Sequence, residues 1–255
     1  MRTLPHWAIT LLSGAVLLAV WFLLTDGGFV RDLFLPSPLD LWSGLLELIE
    51  FGYKGRPLSE HIGMSLFRVG TGFLTGAAAG TAIGLAMGYL PRFDALMAPF
   101  IEFLRPLPQL AYLVLLIVWL GIGETSKITM LFLAALPVSA IAARDGVANV
   151  APERVAVARA LGASPWQVFR HVILPSALPE ILVGARLAAG IVYGTLIAAE
   201  IIAGSSGIGW MILDAGRFLR SDYVFAGILM IGLAGIGIDR LLVLLERRAV
   251  HWAGR

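Results

Sequence analysis

Apolar residues run along this chain in long blocks broken by short polar stretches. They show neither the two-residue alternation of half-buried strands nor the one-sided stripe of soluble helices. The first block, residues 7–25, is about 19 residues long, enough for a bilayer span. Arg2 and His6 precede it, and no small-x-small cleavage site stands before Asp26, so a span fits better than a secretory leader. The connection 26–62 is polar but holds one amphipathic helix begun by Ser37 and Pro38. Leu39, Trp42, Leu45, Leu46 and Ile49 are expected on its apolar face, and Asp40, Glu47 and Glu50 on the other.

A second span is expected over 64–90. Gly72, Gly76, Gly80, Gly84 and Gly88 recur in it every fourth residue. In lipid such a stripe forms a groove that lets another helix backbone approach closely. A turn over 91–96 leads to a third span, 97–120, where Pro106 and Pro108 remove backbone donors and should kink or break the helix. The fourth span, 128–143, is short and contains Pro137. A fifth follows over 181–203, then a short helix or re-entrant segment over 204–220, then a sixth span over 223–245.

The longest polar interruption of the second half is 151–179, which reads as two short helices. Pro152 suits a first helical position, Glu153 the positive end of the helix dipole, and Gly162 a left-handed cap. Ser164, Pro165 and Gln167 then form a capping box, and the second helix is expected to stop at Leu174-Pro175. Arg154, Arg159, Arg170 and His171 make the pair basic.

Composition agrees. Hydrophobic residues are 58% of the 255 and charged residues 14%, and mean hydropathy is +0.86. This is an all-α, polytopic membrane protein with about six spans in one domain, 1–255, and no room for a separate catalytic domain. The net charge of +2 is better explained by membrane orientation than by nucleic acid. With no cysteine, thiol chemistry and cysteine-ligated metal are excluded.

Six spans with both ends inside put Arg2, Arg92, Arg144, Arg154, Arg159, Arg170, Arg247, Arg248 and Arg255 on the cytoplasmic side. Arg31, Lys54, Arg56, Arg68, Lys127, Arg217 and Arg220 then fall outside. Glu102, Arg105, Arg186, Asp239 and Arg240 lie within spans, where single charges are costly, so an ion network is expected, with Asp239 paired to Arg105 or Arg186.

The 151–179 segment resembles the cytoplasmic EAA loop of binding-protein-dependent (type I) ABC importer permeases. The pattern is E-A-A, three residues, Gly, nine residues, then I-x-L-P. Here Ala156-Val157-Ala158, Gly162 and Val172-Ile173-Leu174-Pro175 fill it, with Ala156 in place of the glutamate. The run from Trp119 to Lys127 after an R-P-x-P element, together with Leu178-Pro179-Glu180-Ile181 and the stretch from Ala198 to Ala203, is similar to the taurine and alkanesulfonate branch, alongside nitrate permeases.

The resemblance implies the permease fold, a second copy of the chain, two separate ATPase subunits that bind ATP and magnesium, a periplasmic or lipid-anchored binding protein, and the bacterial inner membrane. It implies no enzymatic activity, cofactor or metal in this chain. It assigns ATPase coupling to Arg154, Ala156, Ala158, Arg159, Gly162, Ala163, Ser164, Pro165, Trp166, Phe169, Arg170 and Pro175. For a small sulfonate, candidate path residues are Glu200, Ser205, Ser206, Arg217 and Arg220. Nitrate, bicarbonate or a thiamine-precursor pyrimidine are alternative cargoes.

Other readings fit less well. Neither 121–127 nor the GSSGIG run from Gly204 has the glycine spacing or preceding strand of a nucleotide site. A secondary transporter would need related halves with broken helices, and no repeat is visible. An intramembrane enzyme would need a constellation at depth, but His6, His61, His171 and His251 lie outside or at the ends of spans.

Overall fold

The computed structural model describes residues 5–250, so Arg2, His251 and Arg255 fall outside the described residues, as does the side chain of His6. The chain forms α1 (His6–Asp26), α2 (Pro38–Phe51), α3 (Leu58–Tyr89), α4 (Pro91–Leu104), α5 (Gln109–Leu120), α6 (Glu124–Ala148), α7 (Pro152–Ala160) and α8 (Pro165–Val168). A wide π turn, Phe169–Ile173, joins α8 to α9 (Leu174–Ala203), and α10 (Ile208–Arg217) and α11 (Ser221–Ala249) complete it. No strand occurs among the described residues. Five helices are long and apolar enough to cross a membrane, and α4 with α5, bent by 100° at their break, make a sixth if the pair is counted as one span.

Several boundaries differ from the sequence expectation, each for a physical reason. The expected turn over 91–96 is helical, because Pro91 starts α4 at once; the third span is therefore two helices broken at Arg105–Pro108. The fourth span is no stub. Pro137 sits inside the continuous 25-residue α6. Nor does Leu174-Pro175 end the second short helix. The π turn before it widens the backbone where the proline ring would clash and its N–H is missing, and α9 carries on.

Contacts divide the chain into two compact units, one drawn from the residues up to Ile62 with Ser206–Gly232, the other from Gly63–Ser205 with the chain after Gly232. In the first, Leu48, Tyr53, Met211, Ala215, Tyr223 and Ala226 form the core. The Ser37–Asp40 capping box starts α2. The buried face of α2 is Leu41, Leu45 and Leu48. The expected face is largely turned outward: Leu39, Trp42, Leu46 and Ile49 are exposed, an apolar stripe suited to lipid. The Tyr53 hydroxyl donates to Asp214 at 2.8 Å, and burial with that bond pushes the hydroxyl well above its ordinary value.

In the second unit the glycine stripe of α3 lies directly on α6. A Cβ at Gly72, Gly76, Gly80, Gly84 or Gly88 would come under 3.0 Å from α6 atoms, at Gly84 from the Ala140 carbonyl. The stripe is a packing seam. On another face of α6, Gly184 of α9 meets Ala142, and Gly146 of α6 meets Ala177 of α9. Hence α6 is the most enclosed of the spanning helices.

Candidate functional site

The segment from α7 to the π turn is built by local chemistry. Gly162 adopts φ +82°, Ala163 N–H donates to the Ala158 carbonyl and Gly162 N–H to Arg159, the paired bonds of a Schellman cap. The second helix starts with the expected box: Ser164 Oγ accepts from Gln167 N–H, and Gln167 Oε1 accepts from Ser164 N–H at 2.7 Å. Beneath, Val168, Ile173, Ala177 and Ile181 join Ala143 and Val147 of α6 in one apolar cluster. The Phe169 ring lies 5.3 Å from Tyr89 at the end of α3 and 5.7 Å from Trp166. The segment is thus bolted to three spanning helices.

Its other side is open. Arg154, Ala156, Arg159, Gly162, Ser164, Pro165, Trp166 and Arg170 are exposed, while Ala158, Ala163, Phe169 and Pro175 are half-buried supports. Val157, Leu161 and Trp166 are 59, 83 and 64% exposed. Apolar knobs framed by three arginines make a surface suited to an acidic-rimmed protein cleft.

A second constellation was not anticipated. Arg68 of α3 is fully buried; its Nε and Nη2 donate to Glu124 of α6 at 2.5 and 2.8 Å, and its Nη1 donates to Glu200 of α9 at 2.6 Å. Ser65 Oγ donates to the same Glu200 oxygen at 2.7 Å, and Lys127 Nζ reaches Glu124 at 2.9 Å. Two acids and two bases close a neutral cluster tying three helices. Arg68 and Lys127, expected among the outer loop charges, are instead bundle residues, which removes both from the orientation count. Only the rule that ionisable residues within spans are paired or functional could have flagged them: Arg68 falls inside the expected span 64–90 yet counts with the outer charges, and Lys127 falls one residue before the expected span 128–143.

A family model described as the binding-protein-dependent transport system inner membrane component matches residues 76–251. The chain belongs to this family. It is 41% identical over 94% of its length to the taurine transport system permease protein TauC of Escherichia coli (strain K12), covering 88% of that protein. It is 31% identical over 92% of its length to the nitrate import permease protein NrtB of Synechocystis, covering 86% of that protein. Among solved structures, an amino acid ABC transporter crystallised with histidines superposes at TM-score 0.59, with 20% identity, over 86% of this chain and 99% of that one. An inward-facing MetNI methionine ABC transporter gives 0.58 at 22% identity, over 72 and 95%. This is therefore an ABC importer permease of the inner membrane, with the all-α fold expected; the secondary-transporter alternative is set aside.

The permease's other expected site residues scatter. Glu200 is neutralised by Arg68 rather than open to substrate. Arg220 donates to Asp222 at 2.7 Å and Glu47 at 2.9 Å and lies over the Tyr223 ring, so its charge is spent locally; the Asp222 bonds hold the guanidinium above its usual range. Arg217 and Ser205 are exposed and Ser206 is buried. The intramembrane network is two separate groups. Arg186 grips Asp239 with two bonds of 2.7 and 3.2 Å, one of the two partners expected for that aspartate. Glu102 instead lies 3.5 Å from Arg144, which also holds Asp94 at 2.7 Å. Arg105 joins neither.

Asp239→Arg and Arg186→Asp should each lower the yield of assembled permease, because two like charges then face each other on apolar helices, and the exchanged double variant should restore it. Gel filtration of tagged protein measures this. Equal loss in all three would show that the pair carries no stability.

Proposed function

We propose that this permease imports a small sulfonate, such as taurine or an alkanesulfonate, as one of two copies in an ATP-driven complex. The carrying observation is the 41% identity to the taurine permease over nearly the full length of both chains. A separate ATPase subunit docks on each α7–α8 surface, seating Val157, Leu161 and Trp166 in a cleft with Arg154, Arg159 and Arg170 at its rim. Because that surface is continuous with α9 and packed on α3 and α6, closure of the ATPases moves the spans as rigid bodies, and alternating access follows. ATP and magnesium stay with the partner. A binding protein delivers substrate at the opposite side. Both termini and the α7–α8 surface face the cytoplasm, in keeping with the arginines of 151–173 and the Arg247-Arg248 pair. Nitrate import is the second reading, favoured by the 31% identity to NrtB.

Uptake of labelled taurine into proteoliposomes holding the permease, its ATPase and its binding protein tests this. Uptake should require ATP. Gly162→Pro should abolish it while insertion persists, because proline cannot adopt the +82° φ of the cap. ATP hydrolysis with nitrate but not taurine uptake would overturn the sulfonate assignment; ATP-independent uptake would overturn the coupling.

A further inference from the structure

The break between α4 and α5 opens a cavity of about 500 Å³, entirely within the second unit. Its walls run along residues 133–142 of α6 and 183–191 of α9, the middle portions of two spanning helices, and they are mainly apolar. Three polar side chains enter from the broken span: Arg105, Gln109 and Tyr112. Of the arginines within or at the ends of the spans of this unit, Arg68, Arg144 and Arg186 are engaged by carboxylates. Arg105 has no such partner among the described residues, and neither have Arg92, Arg240, Arg247 and Arg248, but of these it is Arg105 that lines the cavity. An arginine left unneutralised at this depth is costly unless it faces water or a ligand that carries the opposite charge. A broken helix at mid-depth is tolerated for the same reason, where it lines a hydrated path.

We propose that Arg105 is the residue of the translocation path that binds the substrate's anionic headgroup, with Gln109 and Tyr112 donating further hydrogen bonds. This rests on the reading of the cargo as a small organic anion. The guanidinium fork presents several N–H donors to the oxygens of a sulfonate, while the amide and the phenol add donors without charge. The apolar α6 and α9 walls accept a short alkyl stem. Asp145 and Glu180 line the end of the same cavity nearest α7, and Asn149 donates to Glu180 at 3.1 Å. Those two carboxylates oppose tight retention of an anion. A path needs that balance, since a site must bind well enough to fill and weakly enough to empty. Glu200, Arg217 and Arg220, the charged path candidates read from the sequence, do not line this cavity.

The natural absence of cysteine allows a test that does not depend on transport. In the assembled complex, a Gln109→Cys variant should react with a sulfonate-bearing methanethiosulfonate at least about tenfold faster than a Leu17→Cys variant on α1. Adding Arg105→Gln should lower the ratio of anionic to cationic reagent rates by about tenfold. No reaction at 109, or an unchanged ratio, would overturn the site. In proteoliposomes, Arg105→Gln should cut taurine uptake about tenfold or more while ATP hydrolysis stimulated by the loaded binding protein persists, and Arg105→Lys should keep part of it. Uptake by Arg105→Gln at the wild-type rate would overturn the proposal. No sulfonate uptake by the wild-type complex, with the labelling ratio of the Gln109→Cys variant still shifted by Arg105→Gln, would support the anion site and overturn only the sulfonate assignment.

Discussion

Arg68→Met is expected to be the most damaging single change in this permease. It strips the buried Glu200 of the guanidinium 2.6 Å away and breaks the two-pronged grip on Glu124. Removing one partner of a buried pair costs about 3–5 kcal/mol, because the other charge stays behind without compensation. Replacing both with apolar residues of similar size is often close to neutral. Arg68→Met with Glu200→Leu should therefore recover most of the loss, leaving Glu124 with Lys127, a pair whose carboxylate is 39% exposed. Thermal unfolding in detergent, read as a cycle of the two single variants and the double, measures the coupling. A double variant no better than Arg68→Met alone would mean that Arg68 acts through packing, not charge. If the cycle closes as expected, transport by the double variant shows whether the tie between α3, α6 and α9 also matters in motion.

Gly84→Leu should be nearly as severe. A Cβ there meets the Ala140 carbonyl, a backbone atom in the most enclosed helix that cannot swing aside. Overpacking of this kind costs about 1–3 kcal/mol and more where backbone must shift. In lipid, where the hydrophobic effect does not hold helices together, close backbone packing is a principal source of association, so separating the seam costs more than one contact. Gly70 on the same helix has open space where a methyl group would sit, and Gly70→Ala should be neutral or slightly stabilising, since alanine is the better helix former. Thermal unfolding of both variants checks the contrast. Equal effects at 84 and 70 would mean that helix propensity, not the seam, governs α3.

The sequence by itself determined the spanning character, the α3 packing stripe and the caps of the α7–α8 segment. Each has a local cause. A chain in lipid must satisfy its own backbone, so long apolar blocks become helices. Serine at the cap, proline at the first turn and glycine after the last act on neighbours a few residues away. What the tertiary structure alone decided was every partnership between distant residues. Arg68 finds Glu124 and Glu200 across 56 and 132 positions, and no local pattern ranks those acids above Asp94 or Glu102. The same holds for which face of α2 is covered: both of its stripes are apolar, and only the neighbours settle which is core and which meets lipid. Pro175 looks like a helix stop from the sequence, yet packing on adjacent spans, with a π turn before it, lets the helix carry on. Pro106 and Pro108 do break theirs. The sequence marked that break, but only the placement of α6 and α9 around it made a cavity and left Arg105 facing it without an ion pair among the described residues.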